Sequence, residues 1–456
     1  MARLIGFPLL LLGFLFPLHA QSGPDELLRR AIAQVRDTVD RLPRYVCTQT
    51  IDRVSLWIAH QNAPLCDWWP PSDQLRISQS DRLSVDVLST AAGETYSWAG
   101  ENQFHNQDLL QLVRIRPVST GGFSGLLRSI FGNDNAFSSD GEVTEKGRKL
   151  RQYSFRVPRE KSEYWFGTGA ERRIVACEGS FLLDPETANL VRLEVKSSEP
   201  PQVTGVCQAT TTLNYGRTRV NDSEFLLPTS SLFEFVTTRG EEDRNSSAYS
   251  NCHEFLAEST LRFEPPKPGQ QPSTKAPDQG TLALPEGLPF RVVFTQDIAF
   301  RTAAAGDTFA AKLATSIRDA SGRVLVPAGT PVVARILDAD LWRGRGRDGG
   351  ILLGAHLIFR LESMTMAGTK RPFVATAAQR VESSDPINAD SPTNKNVPAS
   401  IRQPNVGGLL LAPNTAILEF YGVRPNFVLK AGKQSKWRTG GTGPTPGCLS
   451  GASRCE

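Results

Sequence analysis

Histidine is scarce in this chain: five in 456 residues, and beyond the first twenty only His60, His105, His253 and His356. None has a histidine or acid at the spacing of a metal or catalytic motif. No pair of the seven cysteines has the CxxC spacing of a zinc or redox site. No metal or cofactor is therefore expected, and no catalytic residue is assigned. His253 follows Cys252, so on a strand the two point to opposite faces and cannot share an ion. An excess of one charge is also missing. Lys and Arg number 51 against 47 Asp and Glu, a formal +4, which makes no case for nucleic acid. After residue 20 no apolar run is long enough to span a membrane as a helix, so the mature chain is expected to lack one. A nucleophile elbow needs glycines two residues either side of its serine; around Ser124, Gly122 fits and Leu126 does not. No Gly-Lys-Ser/Thr follows, which excludes a phosphate loop.

What is present begins with an export signal. Arg3 supplies a positive start, Leu4 to Leu18 is uncharged, and Leu18-His19-Ala20 fits the small-residue cleavage rule. As a helix that run would reach about 22 Å, short of a hydrocarbon core of about 30 Å. The protein is expected to be periplasmic or extracellular after cleavage near Ala20. In an oxidising compartment its cysteines should form disulfides, with an odd one left over. Cys47 and Cys66 can close a local loop worth about 3 kcal/mol. If 173–183, 190–196 and 206–215 form a meander, Cys177 and Cys207 lie two strand spacings apart, about 9.6 Å, and are too distant to bridge. Elimination then favours Cys207 with Cys252 and leaves Cys177 spare. Cys448 and Cys455, in a Gly/Pro/Ser tail, are a further candidate pair.

Residues 25–42 should form a helix, since Leu27, Leu28, Ala31, Ile32, Val35, Val39 and Leu42 share one face and Pro43 ends it. Arg29, Arg30 and Arg36 are expected on its wet side. From Tyr45 the period switches to two. Strands are expected around Leu83–Val87, Tyr96–Trp98, Tyr153–Val157, Phe181–Leu183, Leu190–Val195, Phe225–Leu227, Leu232–Val236 and Leu256–Phe263. Residues 114–140 read as a glycine turn leading into a short amphipathic helix, and Glu241-Glu242-Asp243 reads as a solvated turn. A Pro/Gln/Gly/Ser stretch, 264–281, is the expected linker between a first domain (21–263) and a second (282–433). In the second, Leu284-Pro285-Glu286-Gly287-Leu288-Pro289 and Val326-Pro327-Ala328-Gly329-Thr330-Pro331 each turn the chain into a strand, and Leu429-Lys430-Ala431-Gly432 is a looser copy. Leu353, Ala355, Leu357, Phe359 and Leu361 alternate onto one face, with His356 and Arg360 on the other. Arg343 to Gly350 should be a solvated hairpin tip, 383–407 a mobile loop and 434–456 a flexible tail. The expected class is α+β and mostly β: an N-terminal helix on a curved antiparallel sheet, a linker, then a small all-β barrel-like domain.

A leading helix, a curved antiparallel sheet and the Asp184-Pro185-Glu186-Thr187 hairpin resemble the periplasmic lipoprotein-carrier superfamily across residues 25–263. The resemblance implies a half-barrel around a helix whose concave face can hold acyl chains. Tyr45-Val46-Cys47-Thr48, Tyr96-Ser97-Trp98-Ala99-Gly100, Glu224-Phe225-Leu226-Leu227-Pro228 and Glu258-Ser259-Thr260-Leu261 are similar to phrases in secreted bacterial proteins of no assigned activity. Gly306-Asp307-Thr308-Phe309-Ala310-Ala311 and Gly322 to Thr330 are similar to the conjugal-transfer scaffold family, which implies a secretion-channel barrel over 284–365. The chain lacks that family's N-terminal membrane helix, and 383–407 is too polar for its membrane hairpin. Three functions follow in order of preference. The first is a non-catalytic envelope protein for binding or assembly, with envelope proteins or a hydrophobic ligand as partners. The second is a lipid carrier. The third is a hydrolase built around His105 or His253.

Overall fold

The structure is a computed structural model that describes residues 26–58, 75–90, 93–101, 104, 109–113, 118, 123–132, 135–166, 173–197, 206–237, 241–255, 281–345, 350–377, 381–382 and 414–440. The signal segment, 256–280, the loop 383–407, the tail beyond 440, Cys66, Cys448, Cys455, His60 and His105 lie outside the described residues.

The expected helix is α1, Glu26–Arg41. Its apolar stripe buries Ala31 and Val35 on the sheet, with Leu27, Leu28, Ile32 and Val39 packed beside them. Its polar face is not simply wet. Arg36 Nε donates to the Phe131 carbonyl at 2.7 Å and Arg30 to the Glu186 carbonyl at 2.9 Å, so two of the three arginines pin the helix to a neighbouring helical turn and a hairpin turn.

Ten strands make the N-terminal sheet: β1 Tyr45–Ile58, β2 Leu75–Thr90, β3 Gly93–Trp98, β4 Phe137–Glu145, β5 Arg148–Val157, β6 Cys177–Leu183, β7 Leu190–Ser197, β8 Val206–Val220, β9 Ser223–Thr237 and β10 Glu242–Glu254. They form two antiparallel meanders, β1–β3 and β4–β10, joined where β1 pairs with β10. Strand β9 is continuous where two pieces were expected. Pro228, which has no N–H to give the ladder, is tolerated because the β8–β9 register shifts beside it. The solvated turn at 241–243 is corrected as well: Glu242 is the first residue of β10 and is 3% exposed. Burial raises its pKa, with Arg244 acting against that.

The joint between the meanders carries a disulfide. Cys47 on β1 bonds Cys252 on β10 across a Cα–Cα distance of 4.1 Å, at the point where their register shifts. This corrects both expected pairings, Cys47 with Cys66 and Cys207 with Cys252. Proximity along the chain was the wrong guide, because strand pairing brings together residues 205 apart. Cys207 is also disulfide-bonded. Cys177 and Cys207 do flank the central strand β7, and Cys177 is free and buried. Burial pushes its thiol up to about 11, so it carries little thiolate.

The C-terminal sheet comprises β11 Pro289–Phe294, β12 Thr308–Leu313, β13 Pro331–Arg345, β14 Ile351–Met366, β15 Ala375–Ala377, β16 Thr415–Tyr421 and β17 Gln434–Thr439. The three related turns do precede strands β11, β13 and β17, and their glycines share one backbone conformation, φ +83°, +85° and +93° at Gly287, Gly329 and Gly432. Residues 434–439 are therefore not tail: Trp437 on β17 is 1% exposed in the core. Pairing runs β15–β17–β11–β12–β13–β14–β16. Among the described residues β15 and β16 share no ladder of their own, but Val381–Glu382, which follows β15, pairs in parallel with Leu418 and Glu419 of β16. Asn414 also spans this side, its N–H reaching the Ala375 carbonyl at 2.8 Å and its side chain the carbonyls of Leu361 and Phe373.

The two sheets meet along β2. Strand β3 pairs only with Val85–Thr90, which leaves the other half of that edge for Leu341 and Trp342 of β13 and for Ala305. Ser84 N–H donates to the Ala305 carbonyl at 2.7 Å, and Ala305 N–H to that of Arg82 at 2.8 Å. Gly306, at φ +104°, allows the approach, since a Cβ there would lie 2.1 Å from the Ser84 carbonyl oxygen. Gly306→Ala should cost at least about 2 kcal/mol, read from urea midpoints. Gly322→Ala, with similar φ and open space, should cost only about 1 kcal/mol. Equal losses would show that the seam is looser than described.

Candidate functional site

Strands β13, β14 and β16 turn one face into the C-terminal core and the other toward β2. Alternation along β14 sends Leu357, Phe359 and Leu361 inward and His356 outward, as its sequence predicts. Along β13 simple alternation from Val332, Ala334 and Ile336 would send Asp338 and Asp340 into the apolar core. A bulge between Ile336 and Asp338 changes the parity. Ala339 is then inward, while Asp338 and Asp340 face out. Register does the rest. Asp340, His356 and Glu419 form one cross-strand row, and Trp342, Gly354 and Tyr421 form the next.

The acidic row is covered by β1 and β2, so its charges are buried and must be balanced within the protein. His356, 1% exposed, sets Nε2 at 2.5 Å from Asp338 Oδ2 and Nδ1 at 4.0 Å from Asp340 Oδ2. Gln79 of β2 donates to Asp340. Beside them Arg53 of β1 holds Asp81 of β2 through two bonds of 2.8 and 2.5 Å. Burial alone would depress the imidazole. The Asp338 charge and hydrogen bond, with the charges of Asp340 and Asp81, outweigh it and raise the pKa to about 9. His356 is thus an imidazolium at neutral pH.

Asp338, Asp340 and His356 have the donor types of a metal centre and lie within 4.8 Å of one another. Their arrangement does not fit an ion. The two carboxylates approach opposite ring nitrogens, whereas one ion takes one nitrogen. The 2.5 Å between Nε2 and Asp338 is also shorter than the separation of about 3 Å between neighbouring donors on an ion with bonds of about 2.1 Å.

Above this cluster opens a cleft of about 380 Å³ between the two sheets. Its floor includes Arg53 and Asp81, and its apolar wall includes Leu341, Leu353 and Val423. Trp342 lies flat over Gly354, where a Cβ would meet its ring at 2.1 Å, and makes an edge contact with Tyr421 at 5.8 Å. Five arginines line the space. Arg53 is engaged by Asp81 and Arg82 by Asp52. Arg301, Arg343 and Arg424 are exposed and have no carboxylate partner among the described residues.

The other candidates are placed elsewhere. His253 is exposed on β10, its Nδ1 beside the Asn251 carbonyl. The concave face of the N-terminal sheet holds α1 together with Leu126, Leu127, Ile130 and Phe131, packed against Tyr153 and Phe181. A pocket there, beside Tyr45, Ser89 and Tyr249, has about 10 Å³, room for about one water. Leu126 to Phe131 come from residues 123–132, a short helix continuing into a wider turn where a single amphipathic helix was expected. Among the described residues no helix is long and apolar enough to cross a membrane.

The imidazolium gives a pH signature. Its folded pKa of about 9 lies above the ordinary 6.5. Its contribution to stability is therefore complete below the lower value and lost as pH rises through the upper one. Urea midpoints should fall across that window by on the order of 3 kcal/mol, and His356→Gln should flatten the fall. Burial pushes Tyr45 to about 12, above the window. A wild-type profile that is level there would defeat the charge assignment.

No protein-family model matches the chain, and no curated protein does. Among solved structures, a LolA superfamily protein from Nitrosomonas europaea is similar at 11% identity and TM-score 0.27, covering 51% of this chain and 93% of its own. A DUF1329 family protein from Desulfovibrio piger is similar at 9% and 0.26, covering 52% and 96%. A putative outer membrane lipoprotein-sorting protein domain from Vibrio parahaemolyticus is similar at 8% and 0.23, covering 49% and 90%. These names agree with the expected likeness to lipoprotein carriers, and none is described as a conjugal-transfer scaffold. The overlaps are too loose to carry an argument about what this chain binds.

Proposed function

We propose that this chain is a non-catalytic, exported envelope protein of two domains, joined across 264–281, that binds an anionic ligand with an apolar body in the cleft between them. The observation that carries the reading is the pairing of an apolar wall with three arginines that no described carboxylate engages. A volume of about 380 Å³ is in the range of small-molecule sites. Arginine at the rim suits a carboxylate or phosphate, which its planar fork can grip with two bonds. The non-catalytic part of this reading is supported by His356. Both its ring nitrogens face carboxylates and it is 1% exposed, so neither nitrogen is offered to a substrate as base.

Calorimetric titration with dodecanoate and with dodecanol, the same chain without the charge, tests this. Dodecanoate should bind and dodecanol bind at least about tenfold more weakly, as expected for a charge-assisted hydrogen bond. The double variant Arg301→Gln, Arg424→Gln should lose that preference while keeping its urea midpoint. Equal affinity for the two probes would refute the reading.

A further inference from the structure

Among the described residues five large hydrophobic side chains stand out into solvent: Ile77, Ile174, Val324, Ile351 and Tyr421. Three of them gather at one place. Ile77 lines the cleft, and Tyr421 leans on Trp342 at its wall. Ile351 starts β14 two residues before the cleft residue Leu353 and is 77% exposed. Arg301, Arg343 and Arg424 line the same cleft, so that an apolar tip, two aromatic rings and a set of cations are grouped around its mouth. Solvent is a poor neighbour for that combination, since exposed Ile and Tyr gain from leaving water. The bonded acids there, Asp52 and Asp81, already serve Arg82 and Arg53 and do not cancel the remaining charge.

We propose that the mouth of the cleft is a docking surface for an anionic lipid membrane, with Ile351 inserted among the headgroups and the three arginines on lipid phosphates. Trp and Tyr suit the headgroup level, where one side of the ring is wet and the other apolar. Each arginine near an anionic surface contributes attraction that salt screens over about 8 Å. The inference rests on the cleft reading for its arginines and goes beyond it in naming the source of the ligand: an anionic amphiphile would be met at the surface on which the cleft opens.

The test is co-sedimentation of the full chain, purified with its disulfides formed, with phosphatidylcholine vesicles that contain or lack phosphatidylglycerol. Binding should require phosphatidylglycerol and fall as salt rises. Arg301→Gln, Arg343→Gln and Arg424→Gln should each weaken it about fivefold. Ile351→Asp should weaken it about tenfold while leaving dodecanoate binding unchanged, because Ile351 is not part of the cleft wall. No retention on anionic vesicles overturns the proposal, as does retention that ignores Ile351→Asp, which would mark simple charge adsorption. In either case dodecanoate binding would still stand or fall by itself, so failure of the membrane surface and failure of the cleft are distinguishable.

Discussion

Buried charge has to be matched where it lies, and that requirement decides how the two sheets of this protein fit together. Asp338, Asp340 and His356 come from the C-terminal sheet; Arg53, Asp81 and Gln79 come from the N-terminal one. All but Gln79 are buried once the sheets meet. An ion pair in such a place is weak evidence of net stabilisation, but removing one member leaves an uncompensated charge at a cost of several kcal/mol. The cluster is therefore better understood as a specifier of fit. It admits one alignment of β2 against β13, and the backbone bonds at Ala305 secure the same alignment.

Much of the architecture was legible because it follows from local chemistry. The stripe of α1, the alternation in β14 and the three proline–glycine turns each repeat a physical preference over enough residues to stand out. The disulfide and the acidic row were not legible for the opposite reason. Cys47 meets Cys252 only through strand order, which residue spacing does not encode. Asp338 and Asp340 face His356 because of one inserted residue, Leu337, and a bulge of that kind leaves no composition signal. Glu242 was misjudged in the same way, since three acids in a row look solvated until a long strand begins among them. The scarcity of histidine was nonetheless a pointer. With so few present, the one flanked by alternating apolar residues on a central strand was the one to follow.

The cleft illustrates how a fold can leave a surface that neither half would make alone. Its apolar wall belongs to one half and its floor to the other, and its glycine at 354 lets Trp342 lie flat. Aromatic residues laid across a strand glycine restore the area that the missing side chain fails to cover. Here they also bring two rings to the mouth, close to cations that no acid restrains among the described residues.

The bond between Cys47 and Cys252 has one more consequence, for the order of events during folding. A chain synthesised from its N-terminus presents Cys66, Cys177 and Cys207 before Cys252, so pairing Cys47 by order of arrival would join the wrong sulfurs. The native bond can form only after β10 has been delivered and laid beside β1. The cysteines thus record the completion of the sheet: oxidation locks a pairing that the strands must first have chosen.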